Sequence, residues 1–354
     1  MDAAVDDERW DAVVAGASFG GLAAALGLAR AGRVLLIDRA PVGAGQTSAC
    51  AAPLPVLRRL GTLEALEQVH PHCVMHLPGR GPGHRFPTSH SWATFDYARF
   101  CEVLFARAGA CFLQATVRGL DSGGRVVTSR GTFEAPVVVD ATGWRAVLAG
   151  DVRAPESLGL ELRLPGGGEG LHFWVQPDAI RHGYAWDFPA GDHRRVGVIT
   201  YRESAGLRTR LDRFLGEPSA GAHLHGGGLP ARLRRPTAGG VFLVGDAAGQ
   251  CLPLTGEGIR PALAFGYAAG RLGRRVLTEG LPLARALREY RRLVLAARPG
   301  YGALAVLQRS LGYAPRRWVG PMCWAFDGSP LRRIAERAYW AAAPMDLLPD
   351  TVTR

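Results

Sequence analysis

Short apolar runs separated by small-residue turns organise the first forty residues of the chain. Val13–Val14 lies in a run typical of a buried strand, and Leu22–Ala31 is a helical stretch rich in Ala and Leu that Gly32 follows. A second apolar run, Val34–Ile37, ends in Asp38. Strands of buried parallel sheets are continuous apolar runs, and glycine commonly ends a helix. The pattern therefore predicts a strand, helix, strand unit with parallel strands.

Two later apolar runs have the same character. One is the strand of the segment VVVDATG at 137–143, and the other is Val241–Val244. Each run passes directly into a small-residue turn, and a helical pattern starts at Ile259. We predict two further buried strands here, each carrying a turn at its carboxyl end.

The segment 151–235 has a different pattern. Short apolar segments alternate with Gly, Pro and Asp turns, and PAGD reads as a hairpin turn; the predicted strands are Glu161–Leu164, His172–Gln176, Tyr184–Phe188 and Arg195–Thr200. From Leu281 to Arg354 the pattern is helical, with many Arg and Trp residues. The predicted fold class is α/β: a Rossmann-type domain with an inserted antiparallel sheet and C-terminal helices.

The turn after the first strand fits two motifs with different chemistry. Residues 16–20, GASFG, form a G-x-S-x-G nucleophile turn, and with Gly21 they nearly match the dinucleotide motif G-x-G-x-x-G, with Ser18 in the second glycine place. A hydrolase turn follows several strands, whereas this one follows the first. Asp38, 22 positions after Gly16, suits ribose hydroxyls, and the helix N-terminus suits a pyrophosphate. The dinucleotide interpretation is therefore favoured.

Charge and cysteine content narrow the classes of partner. The formal net charge is +11 and there is no lysine, so all 42 basic residues are arginine. They form no basic block interleaved with aromatic residues, which argues against nucleic acid and leaves an acidic ligand or an anionic membrane surface. The six cysteines contain no C-x-x-C pair and predict free thiols, and the histidines around Cys73 lack zinc spacing, so no metal site is expected.

The chain shows no pattern of a membrane span or a leader. No run of 18 apolar residues occurs, and the first residues, MDAAVDDERWD, are acidic where a signal peptide needs basic residues. A cytoplasmic location is expected, with contact to a membrane surface as the alternative offered by the C-terminal Trp and Arg residues.

Three aromatic residues alternate in one predicted strand. Tyr184, Trp186 and Phe188 share a face because side chains alternate along a strand. They are either an ordinary core face or the wall of an apolar binding cavity.

Together, the glycine turn, the segment GDAAGQCLPLTGEGI and the strand YAWDFP resemble the FAD-dependent geranylgeranyl reductase family, within a flavoprotein class that also holds aromatic hydroxylases and halogenases. The resemblance covers about residues 10–280. It implies an oxidoreductase that reduces C=C bonds of an isoprenoid or similar apolar chain by hydride transfer from reduced FAD. Halogenases of this class use a lysine, which is absent here, and the hydroxylases carry an Asp-Gly turn where this chain has DATG at 140–143.

The resemblance also implies roles for individual residues. The ADP half of FAD would be held by Gly16, Ser18, Phe19, Gly20, Gly21, Asp38 and Arg39. The remainder of the cofactor would meet Arg99, Thr142, Gly143, Gly245, Asp246, Pro253, Gly256, Gly258 and Ile259, with Asp246 on the ribityl chain and the loop 253–258 at the isoalloxazine. The substrate would lie against Tyr184, Trp186 and Phe188, with Cys50, Tyr184 or water as the proton donor.

Two other functions remain open from the sequence. The same fold supports monooxygenases or oxidases of secondary metabolites, and reduced FAD can also support a non-redox cyclisation. The external electron donor is either NAD(P)H or ferredoxin.

The expected division of the chain follows these residue patterns together with the resemblance. The FAD-binding domain would comprise 1–75, 95–150 and 236–280, with a substrate-side loop at 76–94, the antiparallel substrate domain at 151–235 and C-terminal helices at 281–354.

Overall fold

The computed structural model describes residues 9–78, 83–150, 155–176, 178–180, 182–202, 206–219, 224–230, 232–327 and 329–350. Its strands are β1 Ala12–Ala15, β2 Val34–Asp38, β3 Ala51–Pro53, β4 Leu66–His76, β5 His84–Phe95, β6 Cys111–Gln114, β7 Val117–Leu120, β8 Val126–Thr128, β9 Gly131–Phe133, β10 Val137–Asp140, β11 Ser157–Pro165, β12 Leu171–Val175, β13 Gly183–Ala190, β14 His193–Thr200, β15 Leu224–Leu229, β16 Thr237–Ala238 and β17 Val241–Leu243. Its α-helices are α1 Phe19–Gly27, α2 Leu54–Leu60, α3 Tyr97–Ala108, α4 Leu207–Leu215, α5 Ile259–Glu279, α6 Leu283–Ala296, α7 Arg298–Tyr313, α8 Arg316–Asp327 and α9 Pro330–Ala341.

A mostly parallel sheet carries the predicted strands of the Rossmann-type domain. Its order is β16-β17-β10-β1-β2-β6, and β1 pairs in parallel with both β2 and β10. The apolar β1 is buried along its whole length, as a central parallel strand requires. The carboxyl ends of β1, β2, β10 and β17 therefore meet at one edge, which carries the predicted turns.

Helix α1 ends earlier than the sequence pattern predicts. We expected a helix over Leu22–Ala31, but α1 ends at Gly27, and Arg30 adopts a left-handed φ of 65°. The helix packs closely on α5: a Cβ on Gly27 would lie 2.6 Å from the Tyr267 carbonyl oxygen. The chain turns back after this contact and enters β2 within a few residues.

A second, eight-stranded sheet confirms the predicted antiparallel strands. Its order is β15-β11-β14-β13-β12-β4-β5-β3, and β13 and β14 form a hairpin around 191–192. One face packs on α4 through Leu207 and Leu211, while the opposite face carries Trp186, Phe188 and Ile199 against Ala51. The opposite face is thus directed towards the loop that contains Cys50.

The prediction of a substrate-side loop at 76–94 is wrong for most of the described residues, because 84–95 forms the long strand β5. The chain before it, counted with the first domain, also contributes β3 and β4 to the eight-stranded sheet. The segment was hard to recognise because His, Ser and Thr residues dilute its apolar alternation. The domain boundaries themselves remain predictions.

The C-terminal helices are attached to the rest of the chain by a fully buried arginine. Arg260, near the start of α5, binds Glu257 through Nε and Nη2 at 2.9 and 2.8 Å and donates to backbone carbonyl groups around Trp340 and Ala343. Its guanidinium carbon lies 4.7 Å from the Tyr339 ring centroid and 4.8 Å from that of Trp340. The Tyr339 hydroxyl donates to the same Glu257 carboxylate. The end of α9 is therefore held to the loop that precedes α5.

Candidate functional site

The turn after β1 has the close packing that requires glycine. Gly16 has a φ of 107°, and a Cβ there would lie 2.2 Å from the Ala141 carbonyl oxygen. A Cβ on Gly21 would lie 1.8 Å from the Gly16 carbonyl oxygen. Glycine at position 16 lets this turn approach Ala141 at the end of β10, and glycine at position 21 lets α1 start close against the turn, as the dinucleotide motif needs.

Ser18 stands at the N-cap of α1, but its side chain does not cap the helix. Its Oγ instead accepts a hydrogen bond from the hydroxyl of Tyr97, at 3.2 Å. This contact gives Ser18 a tyrosine partner where a hydrolase nucleophile would need a base such as histidine. The first-turn N–H groups of α1, including those of Phe19 and Gly20, are not used by the Ser18 hydroxyl.

Asp38 supports the same turn from the end of β2. Its carboxylate accepts the N–H groups of Ala17 at 2.7 Å and Ala40 at 3.0 Å. Each carboxylate oxygen has more than one acceptor site, so these bonds leave capacity for ligand hydroxyls. The adjacent Arg39 is exposed.

The segment DATG at the end of β10 is organised by its own acid. Asp140 is buried and accepts the Thr142 N–H at 2.9 Å, the Thr142 hydroxyl at 2.7 Å and the Leu148 N–H at 2.8 Å. The Thr142 hydroxyl in turn accepts the N–H of Val147. The side chain of Thr142 therefore shapes the turn, and Gly143 follows with a φ of 76°.

Asp246 lies in the short 3-10 turn Gly245–Ala248 after β17. Its carboxylate accepts no hydrogen bond from the described residues. Burial raises its pKa to about 6, and the nearby positive charge of Arg234 opposes that rise only in part. The sequence did not single out Arg234.

The loop at 252–258 is hydrogen-bonded to the eight-stranded sheet. The hydroxyl of Tyr184 donates to the carbonyl of Thr255, and the hydroxyl of Tyr201 donates to that of Leu254, whose φ is 71°. A Cβ on Gly256 would lie 3.1 Å from the Tyr184 hydroxyl oxygen. Pro253 is buried, and Gly258 and Ile259 form the N-cap and first residue of α5. The predicted flavin loop and the predicted substrate strand are therefore in direct contact.

The three aromatic residues of β13 share one face, as predicted. Trp186 lies between Tyr184 and Phe188, with ring centroids 5.9 and 6.2 Å away. The indole N–H donates to Glu161 on β11 at 2.8 Å, across the intervening β14. Gly197 on β14 makes this possible, since a Cβ there would lie 2.2 Å from the indole Cζ2.

Glu161 also accepts from His225, which lies on the edge strand β15, at 2.9 Å. Glu161 is only 3% exposed, and these two hydrogen bonds satisfy its carboxylate within an otherwise apolar face. The sequence predicts neither Glu161 nor His225 as a site residue. Trp186 is 25 positions and His225 is 64 positions from Glu161 in sequence, and only the strand register brings the three together.

Cys50 is buried between Ala49 and Ala51, which pack against these aromatic residues. It has a φ of 49°, and its thiol donates to the Ser48 carbonyl at 3.3 Å. Burial raises the thiol pKa far above its usual range, so Cys50 keeps its proton at neutral pH. Arg195, 3% exposed on β14, holds the loop by donating to the carbonyls of Ala49 at 3.2 Å and Cys50 at 3.4 Å.

Arg99 lies in the first turn of α3, where Asp96 caps the helix by accepting the Arg99 N–H at 2.7 Å. Its guanidinium is half exposed, pairs with Glu64 and approaches Glu102 at 3.6 Å. Its expected place beside the cofactor remains a prediction.

No family model matches the chain. The chain is 37% identical over 132 residues to digeranylgeranylglycerophospholipid reductase 1 of Methanopyrus kandleri, which is 34% of this chain and 35% of that protein. It is also 37% identical over 113 residues, 29% of each chain, to digeranylgeranylglycerophospholipid reductase of Methanothrix thermoacetophila. The matched part therefore spans about a third of the length of these curated relatives, and it confirms the resemblance inferred from the motifs.

Solved structures share the fold over nearly the whole chain. A geranylgeranyl bacteriochlorophyll reductase-like protein of Thermoplasma acidophilum has a TM-score of 0.82 at 18% identity, covering 96% of this chain and 98% of that one. The flavin-dependent brominase Bmp2 has a TM-score of 0.70 at 15% identity, covering 95% and 94%. The Rossmann-type α/β fold predicted from the sequence is thereby confirmed.

Proposed function

We propose that the protein binds FAD and reduces C=C bonds of an isoprenoid or similar apolar chain. The observation that carries the proposal is the contact between the loop 252–258 and the eight-stranded sheet, made by the hydroxyls of Tyr184 on the aromatic strand β13 and of Tyr201 directly after β14. It supports a site in which a cofactor bound at the loop and an apolar substrate on Trp186 are neighbours. The partial similarity to the archaeal reductases points to the same chemistry.

The residues present fit FAD. The glycine turn leaves the N-terminus of α1 free of side-chain caps, which suits a pyrophosphate. The Asp246 carboxylate is available to hydroxyl donors, and two guanidinium nitrogens of Arg234 are buried without a partner in the described chain. These groups match a ligand that carries both hydroxyls and anionic oxygens.

The chemistry that FAD supplies when bound is hydride transfer. The protein's part is to hold the alkene beside the aromatic strand and to deliver one proton to it. The Tyr184 hydroxyl already donates to Thr255, and burial raises the pKa of both Tyr184 and Cys50. Each therefore keeps its proton, is a weak acid and already donates to a carbonyl, so we propose that a bound water molecule delivers the proton and that Tyr184 and Cys50 orient the loops beside it.

Anaerobic turnover tests this function. Photoreduced protein is incubated with prenyl alcohols or prenyl diphosphates, and the product should gain two mass units for each reduced bond. A product that contains an added oxygen atom, formed with rapid oxygen consumption, would instead support the monooxygenase alternative, and an unchanged mass would support cyclisation. A colourless protein that releases no FAD would refute the proposal altogether. Parallel reactions with NADPH and reduced ferredoxin would identify the electron donor.

We further propose that the C-terminal helices contact an anionic membrane surface. Exposed apolar side chains concentrate on α7, α8 and α9, where Trp324 is 69% exposed and Trp318 is 54% exposed. Arginines on the same helices supply positive charge, a combination typical of interfacial surfaces. Among the helices of the described residues, none has the length and apolar composition of a membrane span. Co-sedimentation with phosphatidylglycerol vesicles, but not phosphatidylcholine vesicles, is expected, and a W318S/W324S variant should lose it.

A further inference from the structure

Arg234 has a buried guanidinium that the fold does not satisfy. Its Nη1 donates to the Trp144 carbonyl at 2.6 Å, but Nε and Nη2 are buried and have no hydrogen-bond partner among the described residues. Buried donors are nearly always paired, and leaving charged ones unpaired is costly. An orphaned pair of N–H groups on a planar guanidinium matches the two-oxygen face of a phosphate or carboxylate.

The position of Arg234 connects two of the predicted cofactor turns. Its N–H donates to the Ala248 carbonyl at 2.9 Å, which fixes it to the turn that begins at Gly245. Its side chain reaches Trp144, directly after Thr142 and Gly143. Gly249 permits this approach, since a Cβ there would lie 2.8 Å from the Arg234 nitrogen.

Asp246 supplies the opposite chemistry at the same place. Arg234 and Asp246 make no ion pair within 4 Å in the described structure, although the arginine charge acts on the carboxyl. An acid that accepts no hydrogen bond from the described residues and a guanidinium with two N–H groups unpaired within them are together complementary to a ligand that carries both hydroxyls and anionic oxygens. Such a ligand would offer hydroxyl donors to the acid and anionic oxygens to the guanidinium.

We propose that Arg234 binds a phosphate group of a ligand whose hydroxyls are held by Asp246. The inference rests on the proposed function, since the polyol and diphosphate of FAD have this chemistry. A diphosphate on a prenyl substrate would present the same oxygens to Arg234, and the experiment separates the two sources.

The test compares R234Q and R234K with R232Q. Arg232 is two residues away, its side chain is 70% exposed and it pairs with Glu156, so R232Q makes the same change of charge at the surface. The rate of FAD release from the holoprotein and the affinity for geranylgeranyl diphosphate are measured for each. R234Q should change one of them by about 10- to 100-fold, because a charge-assisted bidentate contact is lost. The value for R234K should lie between those of the wild type and R234Q, and the value for R232Q should equal that of the wild type.

The outcomes are distinct. Faster FAD release in R234Q assigns the phosphate to the cofactor, and weaker prenyl diphosphate binding with unchanged FAD release assigns it to the substrate; both support the site. If R234Q folds and neither its FAD release rate nor its affinity for geranylgeranyl diphosphate differs from the wild type, the phosphate site is refuted. If R234Q does not fold, the same result for R234K refutes it. If the wild type holds no FAD, the proposed function fails, and inorganic pyrophosphate binding by calorimetry to wild type and R234Q still decides whether Arg234 binds phosphate.

Discussion

Replacing Arg260 with methionine should destabilise the protein strongly, because it leaves Glu257 as a buried charge. Arg260 is 0% exposed, and its guanidinium makes two hydrogen bonds to Glu257 and lies against the rings of Tyr339 and Trp340. Removing one partner of a buried ion pair typically costs about 3–5 kcal/mol. At roughly 2 °C per kcal/mol for a chain of this size, the midpoint of thermal unfolding should fall by about 6–10 °C.

Urea unfolding followed by circular dichroism measures the loss of free energy of unfolding. R274M is the matched control, since Arg274 is exposed on the same helix, and it should change stability by less than about 0.5 kcal/mol. The double variant E257L/R260M removes both charges and should recover most of the loss, because the cost comes from the unpaired acid. An R260M variant as stable as R274M, or a double variant no better than R260M, would refute this reasoning.

Three further outcomes are expected. D246N should raise the free energy of unfolding of the ligand-free protein at pH 7 by at most about 3 kcal/mol, because the pKa of about 6 favours the neutral acid in the folded state. The gain should shrink as the pH falls below that value and vanish at about pH 3, below the usual carboxyl pKa; urea titrations at both pH values check this. G197A should cost about 1–3 kcal/mol by displacing the Trp186 indole, and less in a W186F background, as a double-mutant cycle would show. Ellman's reagent should label Cys111, which is exposed, well before Cys50, which should react only on unfolding; equal rates would contradict the described burial.

The elements with a simple apolar pattern could be predicted from the sequence. The parallel strands β1, β2, β10 and β17 are short apolar runs, and the turns that follow them were found with their glycines and acids. Strands β4 and β5 were missed because they are rich in His and polar residues, and their pairing with β12 becomes visible only in the sheet. The end of α1 was misplaced because packing on α5, and not Gly32, determines where it stops.

The site could be predicted only where the chain itself brings residues together. The glycine turn and Asp38 are close in sequence, so the motif contains their geometry. The side chain of Arg234 is placed by the Trp144 carbonyl, which is 90 positions before it, and Glu161 meets Trp186 only through strand register. The hydrogen-bond partner of Ser18 could not be predicted for the same reason, since Tyr97 lies 79 positions further along the chain.

The hydrogen bonds from Tyr184 and Tyr201 to the loop 252–258 would make the two halves of the proposed site thermodynamically dependent on each other. A ligand that shifts this loop would strain or break these hydrogen bonds, and so would a ligand that shifts the strand that carries Trp186. Binding at the two places is then linked by a single coupling free energy, equal in both directions. If occupancy of the loop changes the dissociation constant of the apolar chain by a certain factor, the apolar chain should change the dissociation constant of the loop ligand by the same factor. Measuring this ratio for either ligand therefore gives the value for both.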